Sequence, residues 1–305
     1  MTILHQPMPI CASNRTNRAR LHPARERRSI MKTWFITGAS SGLGRDMTEK
    51  LLARGDRVAA TVRRADALAD LAATHGDRLR ILTLDVTDTE ALRHAIDAAF
   101  AALGRIDLVV SNAGYGLFGA AEEVSDAQIA RQLATNLLAS IQLIRAVLPH
   151  LRAQGGGRIV QLSSEGGQIA YPSFSLYHAS KWGIEGFVEA VRQEVARFGI
   201  DCLLVEPGPT GTNFGASLDI ADAMDAYAAT PAGDVRRMVA DGAFPIRGDA
   251  GRTVDAMIAA ADAAHPTLRL TLGSAAYRNV ERGLSQRLEA LRAQRDIAFA
   301  ADRPE

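Results

Sequence analysis

The chain has 305 residues, a net charge of +1 at neutral pH, 47% apolar residues and two cysteines, Cys11 and Cys202. That balance is ample for the core of one large α/β domain and argues against a nucleic-acid-binding or membrane-surface protein. Two cysteines give neither a disulfide framework nor a metal cluster, and no apolar run approaches the roughly 18 residues needed to span a bilayer, so a reducing cytosol is the expected compartment.

The charge is uneven. Residues 1–30 hold Arg15, Arg18, Arg20, Arg25, Arg27 and Arg28 against a single Glu. They show no hydrophobic periodicity and read as a disordered basic leader. The stretch lacks the apolar centre of a secretory signal and is not clearly amphipathic, as a transit peptide is. The alternative is a misassigned start, with Met31 the true first residue. Under either reading the fold begins at Lys32.

From there short apolar runs alternate with longer amphipathic stretches. Strands are expected at 34–36, 58–62, 79–84, 106–110, 158–162, 200–205 and 268–272. Helices are expected at 43–54, 65–74, 89–103, 126–153, 174–198, 250–263 and 275–293. Asp88 is a natural N-cap for the third helix, and Pro149 would bend or end the fourth. The strands are apolar runs rather than strict alternations, as expected when both faces are covered. Repeated βα units with right-handed crossovers give an α/β fold, a single Rossmann-type doubly wound parallel sheet flanked by helices. Residues 209–247 differ. Scattered Gly, Pro and Asp, with weak helical stretches at 220–228 and 234–239, suggest a helical substrate lid. The domain is expected over 31–298, with a frayed tail at 299–305.

Several strand ends carry chemistry. Between the first strand and first helix runs Thr37-Gly38-Ala39-Ser40-Ser41-Gly42-Leu43-Gly44. Glycines there allow a tight turn and close backbone approach, and the helix N-terminus offers free N–H groups to a pyrophosphate. The G-x-x-x-G-x-G spacing differs from the G-x-G-x-x-G fingerprint, and no Gly-Lys-Ser/Thr follows, which excludes a P-loop. The second strand ends in Arg63-Arg64, where NAD sites place an acidic residue for the ribose hydroxyl. Arginine pairs with phosphate instead, so Arg63 points to NADP(H) over NAD(H). Arg45 is a second candidate for the phosphate. Asp85 and Val86, after the third strand, are placed to hold an adenine edge. Ser111-Asn112-Ala113-Gly114 ends the fourth strand with small residues that let a cofactor approach.

The remaining candidates lie later. Ser164 ends the fifth strand, thirteen residues before Tyr177, on the side that faces the ligand crevice. Asn136 is a polar residue on the otherwise apolar helix face of Leu133, Leu137, Leu138 and Ile141. Pro207, Gly208, Thr210 and Thr212 follow the sixth strand and would turn the chain over a nicotinamide. Tyr177 and Lys181, four residues apart on one helix face, place an ammonium near a phenol. A nearby positive charge lowers a phenol from its usual value of about 10, so the pair fits proton transfer to or from a substrate oxygen. His178 lies about 100° around the helix from Tyr177 and reads as packing or interface. Cys202 reads as core. Trp182, Ile184, Phe187 and Val188 should pack on the sheet or a partner subunit.

Together these segments resemble the short-chain dehydrogenase/reductase family. Thr37 to Gly44 matches its T-G-x-x-x-G-x-G turn, and Ser111 to Gly114 its N-N-A-G segment, with Ser in place of the first Asn. Asn136, Ser164, Tyr177 and Lys181 match its catalytic tetrad, and Pro207-Gly208 its later turn. The match covers about 32–212 well and continues loosely through 268–273. The resemblance implies an NADP(H)-dependent oxidoreductase interconverting a ketone or aldehyde with an alcohol. By it Tyr177 is the acid or base, Lys181 tunes it and holds the nicotinamide ribose, Ser164 steadies the substrate oxygen, and Asn136 holds a water linking Lys181 to solvent. It also implies a homodimer or homotetramer built on the helices at 126–153 and 174–198. Apolar side chains in the lid (Phe214, Leu218, Ile220, Met224, Tyr227, Met238 and Phe244) suggest a moderately apolar small-molecule substrate, and Arg63 after Ala-Thr-Val, with the Leu-rich ending, is similar to members acting on hydroxysteroids or retinoids. Two other functions fit the same fold: a catalytically silent dinucleotide sensor, and an epimerase or dehydratase that recycles its cofactor.

Overall fold

The computed structural model describes residues 31–303, so the expected basic leader and the last two residues lie outside it. Nine strands form: β1 (Thr33–Ile36), β2 (Arg57–Val62), β3 (Leu79–Thr83), β4 (Leu108–Ser111), β5 (Leu117–Phe118), β6 (Gly157–Leu162), β7 (Ile200–Pro207), β8 (Asp219–Ile220) and β9 (Arg269–Leu272). Seven make one sheet in the order β3-β2-β1-β4-β6-β7-β9, and every pairing in it is parallel. The order reverses between β1 and β4, which opens a crevice at the carboxyl ends of those strands.

Ten α-helices accompany them: α1 (Gly42–Arg54), α2 (Ala69–His75), α3 (Thr89–Leu103), α4 (Asp126–Leu133), α5 (Ala139–Ala153), α6 (Ser175–Val195), α7 (Pro231–Ala240), α8 (Ala250–Asp262), α9 (Ser274–Ala293) and α10 (Arg295–Phe299). The two faces of the sheet explain the apolar runs. In β1, Trp34 and Ile36 join Met47, Leu51, Val254 and Met257 under α1 and α8. Phe35 points the other way, to Ile96, Leu143, Val147 and Ile184 of α3, α5 and α6. Successive strand side chains alternate faces, so a strand covered on both must be apolar throughout. Asp88 caps α3 as expected, accepting from the N–H groups of Glu90 and Ala91.

The structure differs from the sequence expectations in instructive places. The helix expected at 126–153 is interrupted by a π-helical turn at Ala134–Leu138, and Pro149 neither ends nor precedes the break but lies inside α5. The short parallel pair β5 and β8 carries no periodic signal, being two residues long on each side. Residues 220–228 hold only a 3-10 turn (Asp225–Tyr227), whereas 234–239 fall within α7, which starts at Pro231 behind a Thr230 cap. The last helix, α10, ends at Phe299, the first residue of the tail expected to fray. No helix among the described residues is long and apolar enough to cross a membrane.

Candidate active site

The glycine turn is built to be approached. Thr37 anchors it: its hydroxyl accepts from the backbone N–H groups of Asn112 (2.9 Å) and Ala113 (3.1 Å). The Asn112 amide donates to the carbonyls of Thr37 (2.9 Å) and Gly38 (3.0 Å). The turn after β1 and the segment after β4 are thus one rigid body. A Cβ on Gly44 would lie 2.4 Å from both Asn112 Nδ2 and Gly38 O, so that glycine is required for close packing. Gly42 is different. Its φ is +55° and a Cβ there would meet nothing nearer than Thr212, at 3.8 Å, so its front faces open space. Ser41 precedes α1 without a side-chain cap, and the first turn of the helix has no acidic residue. Free N–H groups, a positive dipole end and open space together fit a pyrophosphate. Ser40, Ser41 and Leu43 line this turn.

At the end of β2, Arg63 is exposed. Its charge helps hold Asp85 below the ordinary carboxylate range, behind the larger effect of the N–H and hydroxyl of Thr87. Asp85 Oδ1 accepts from both Thr87 groups, at 2.9 and 2.7 Å, which fixes the Asp85-Val86 turn. Arg64 points at Asp66, 3.6 Å away. Arg45 is not available to a phosphate as expected: it is tied to Glu49 (2.8 Å), Asp70 (2.5 Å) and the Ala67 carbonyl (2.9 Å).

Of the other four candidates, Ser164, Tyr177 and Lys181 lie together, and the turn that carries Asn136 packs against α6. Asn136, Ser164, Tyr177 and Lys181 are all buried, none more than 7% exposed. Asn136 occupies the π-helical turn, a feature that re-aims side chains at functional sites. Its amide grips the Tyr115 backbone at both ends, accepting from the N–H (3.1 Å) and donating to the carbonyl (2.8 Å). Gly114 lies against this amide, where a Cβ would come within 3.1 Å of Oδ1. The Ser164 hydroxyl lies near enough to the Tyr177 phenol to favour its ionised form. The same hydroxyl accepts from Gly166 N–H (3.1 Å) and donates to Pro207 O (3.4 Å). Lys181 Nζ donates to Leu162 O at 2.9 Å and lies 5.6 Å from the centre of the Tyr177 ring.

The electrostatics run opposite to the sequence expectation. Burial pushes the Tyr177 phenol up to about 12, against the pull of the Ser164 hydroxyl. Burial likewise brings Lys181 down to about 8. Desolvation disfavours both charged forms and outweighs their mutual attraction at this distance.

Beyond Tyr177 the wall is apolar. Phe118, Phe174 and Tyr177 pack with Tyr171, Leu218, Val235 and Val239, and the Phe214 ring meets Tyr177 edge-on at 5.8 Å. Leu218, Val235 and Val239 come from residues 209–247. Pro207 and Gly208 continue β7, and the Thr210 hydroxyl donates to Gly208 O (2.8 Å). Thr212 Oγ1 accepts from Phe214 N–H (3.2 Å), so this turn leads straight into the apolar wall. His178 packs, as expected: it is 4% exposed, with Nδ1 on Gly166 O (2.9 Å) and Nε2 accepting from Tyr171 N–H (3.2 Å). Trp182 does not cover the sheet. It is 42% exposed, beneath the Arg287 guanidinium at 5.0 Å. Among the described residues no group of His, Cys, Asp and Glu could hold a metal ion.

Comparison with known proteins agrees with this geometry. The family model for short chain dehydrogenase matches residues 32–222. Oxidoreductase BOA17 of Botryotinia fuckeliana (strain B05.10) is 39% identical over 203 residues, 66% of this chain and 74% of that one. The crystal structure of a short-chain dehydrogenase from Streptomyces avermitilis is 36% identical and superposes with a TM-score of 0.83, covering 90% of this chain and 99% of its own. A short chain dehydrogenase from Burkholderia cenocepacia J2315, solved in complex with NADP, is 26% identical with a TM-score of 0.68, covering 87% and 97%. The chain belongs to the short-chain dehydrogenase/reductase family. It is an oxidoreductase of that family, with a nicotinamide dinucleotide as cofactor.

Proposed function

We propose that the protein is an NADP(H)-dependent reductase of apolar ketones or aldehydes, running in reverse as an alcohol dehydrogenase. The observation that carries this reading is the buried Tyr177 phenol, with the Ser164 hydroxyl on one side of it and Phe118, Phe174 and Phe214 walling the other. The cofactor, when bound, supplies or accepts the hydride. The glycine turn from Gly38 to Gly44, with Asn112, Ala113 and Gly114 behind it, would hold the pyrophosphate side. Asp85 and Val86 would edge the adenine, and Pro207, Gly208, Thr210 and Thr212 the nicotinamide. Arg63 supports the phosphorylated cofactor, because β2 ends without a carboxylate and both Arg45 and Arg64 are engaged elsewhere.

The chain's own groups do the proton chemistry. A phenol near 12 is protonated at neutral pH and so fits the acid of the reducing direction. Ser164 donates to the substrate oxygen and offsets the negative charge that develops there. Tyr177 gives its proton to that oxygen, and the Lys181 ammonium stabilises the phenolate left behind. Asn136 supports this from the opposite wall by holding the Tyr115 backbone. Aromatic walls on the substrate side favour an apolar body next to the carbonyl.

The test is NADPH consumption, followed by absorbance, with a panel of aldehydes, ketones, quinones and steroid ketones. Tyr177→Phe is expected to lower turnover by about 10²–10⁴-fold while NADPH binding stays nearly intact. Substantial turnover by that variant would remove Tyr177 from the acid role. Tight NADPH binding with no wild-type turnover on any carbonyl would favour the silent sensor.

A further inference from the structure

Behind Lys181 lies a buried charge cluster that the proton chemistry above does not use. Glu185 follows Lys181 by one turn of α6 and is 2% exposed. Its Oε1 accepts from the Ser163 hydroxyl. Its Oε2 accepts from Gln168 Nε2 at 2.9 Å and from the Arg269 guanidinium. Arg269, on β9, also binds Glu206 (2.6 Å), 1% exposed on β7, and Glu189 (2.6 Å), half-exposed on α6. Gln168 reaches Glu206 as well (3.2 Å), and the Thr271 hydroxyl donates to its other oxygen (2.8 Å). The space is closed, since a Cβ on Gly167 would fall 1.9 Å from Glu185 Oε1.

Two features give this cluster a direction. First, α6 grips two consecutive residues at the end of β6. Lys181 bonds the Leu162 carbonyl, and Glu185 bonds Ser163, next to Ser164. Second, the charges do not balance. Two fully buried carboxylates share one guanidinium; burial pushes the Glu185 carboxyl up, and the donors that reach both its oxygens, Ser163 and Arg269 among them, pull toward the ionised form against it. Among the described residues, Glu185 is the charge that acts on the Lys181 ammonium, and it opposes the burial that draws Lys181 down. Glu165 acts on the Tyr177 phenol instead.

We propose that Glu185 is a positioning residue of the site: through Ser163 it fixes the strand end that presents Ser164, and through its charge it keeps Lys181 an ammonium beside Tyr177. The inference rests on the reading of Tyr177 and Lys181 given above. A merely structural ion pair could be exchanged for neutral groups with no effect on Lys181.

The chain has three lysines, Lys32, Lys50 and Lys181. Lysine labelled with ¹³C at Cε therefore gives three NMR signals in the full-length protein, and that of Lys181, which burial brings down to about 8, is expected to titrate lowest. Glu185→Gln is expected to move that titration down by about one pH unit and to cut turnover at least about tenfold. Glu185→Asp should restore most of both. Arg269→Met, which removes a positive charge from the cluster, should move Lys181 the opposite way. A Lys181 titration unmoved in folded Glu185→Gln overturns the proposal. If Glu185→Gln does not fold, Arg269→Met decides: an unmoved or lowered titration overturns it. Because the titration is read without cofactor or substrate, its outcome is separate from carbonyl reduction itself, which fails only if wild-type turnover is absent.

Discussion

The two walls of the crevice are held by different chemistry. On the cofactor wall, neutral groups do the work: Thr37 and Asn112 lash the glycine turn to the end of β4 with four hydrogen bonds, all between side chain and backbone. On the substrate wall, charges tie residues 209–247 to the body. Glu123, whose side chain is 2% exposed, pairs with Arg236 (2.5 Å) and accepts from the N–H groups of Ala120 (2.8 Å) and Met224 (2.9 Å). Asp219, on β8, takes Arg131 (2.5 Å) and Gln128 (2.9 Å) from α4. Tyr227 reaches Glu122 (2.9 Å). Short neutral bonds within adjoining turns make a fixed cradle, whereas long-range ion pairs hold residues 209–247, which we propose form a cover that can be released without unfolding the sheet.

The sharpest way to break that contrast is to add one methyl group to each wall. Gly44→Ala drives a Cβ into Asn112 and Gly38, whereas Gly215→Ala meets nothing within 4 Å. The first is expected to cost about 1–3 kcal/mol and to abolish NADPH binding. The second should leave thermal stability and NADPH binding at wild-type levels. Calorimetry with and without NADPH reads both. Equal losses in the two variants would show that the cofactor turn is no more rigid than the cover.

The next effect concerns the cover. Glu123→Ala removes the carboxylate that pairs with Arg236 and accepts from the N–H groups of buried Ala120 and exposed Met224, worth about 1–3 kcal/mol. The KM for the carbonyl should rise at least about tenfold while the Kd for NADPH stays fixed. Acid should do the same reversibly. Burial pushes Glu123 up, but the Met224 and Ala120 N–H groups and Arg236 together bring it below the ordinary carboxylate range. Gln128, and Arg131 against burial, do so for Asp219. A carboxyl depressed in the folded state stabilises fully above its unfolded value of about 4 and loses that contribution as pH falls through the lower folded value. The carbonyl KM should therefore be flat above about pH 5 and climb below about pH 4. A KM that climbs through neutral pH instead would mean that groups other than these carboxylates hold the cover.

The same contrast explains what could be read from the residues alone. The features on which the proposed cofactor wall rests are local in sequence: a glycine turn between a strand and a helix, small residues at a strand end, Tyr177 and Lys181 one turn apart. The seven strands of the main sheet were legible because burial on both faces makes each an apolar run. The substrate wall was not. Glu123 and Arg236 are 113 residues apart, and an ion pair leaves no periodic trace. The π-helical turn at Asn136 was equally hidden, since its sequence, Ala-Thr-Asn-Leu-Leu, is ordinary helix. Arg45 misled for a related reason: its place after the glycine turn suggested phosphate, but Glu49 and Asp70, one of them on a different helix, had already claimed it. The fall of Lys181 and rise of Tyr177 could not be seen either, because spacing reports proximity and not desolvation.

The smallest expected effect tests whether the cofactor wall is neutral throughout. Arg63 is its exposed exception, a cation at the end of β2 where no carboxylate stands. If Arg63 reads a 2′-phosphate, Arg63→Glu removes an attraction and adds a repulsion for NADPH, while NADH has no phosphate there to lose. The Kd for NADPH is then expected to rise about 10–100-fold, on the order of 1.4–2.7 kcal/mol, and that for NADH to change by less than about threefold. Binding measured by protein fluorescence at two salt concentrations separates the causes. A true phosphate contact weakens with salt for NADPH alone. Loss of both cofactors in equal measure would show that Arg63 acts through the Asp85 turn it faces, and that the wall discriminates between the two cofactors by some other group.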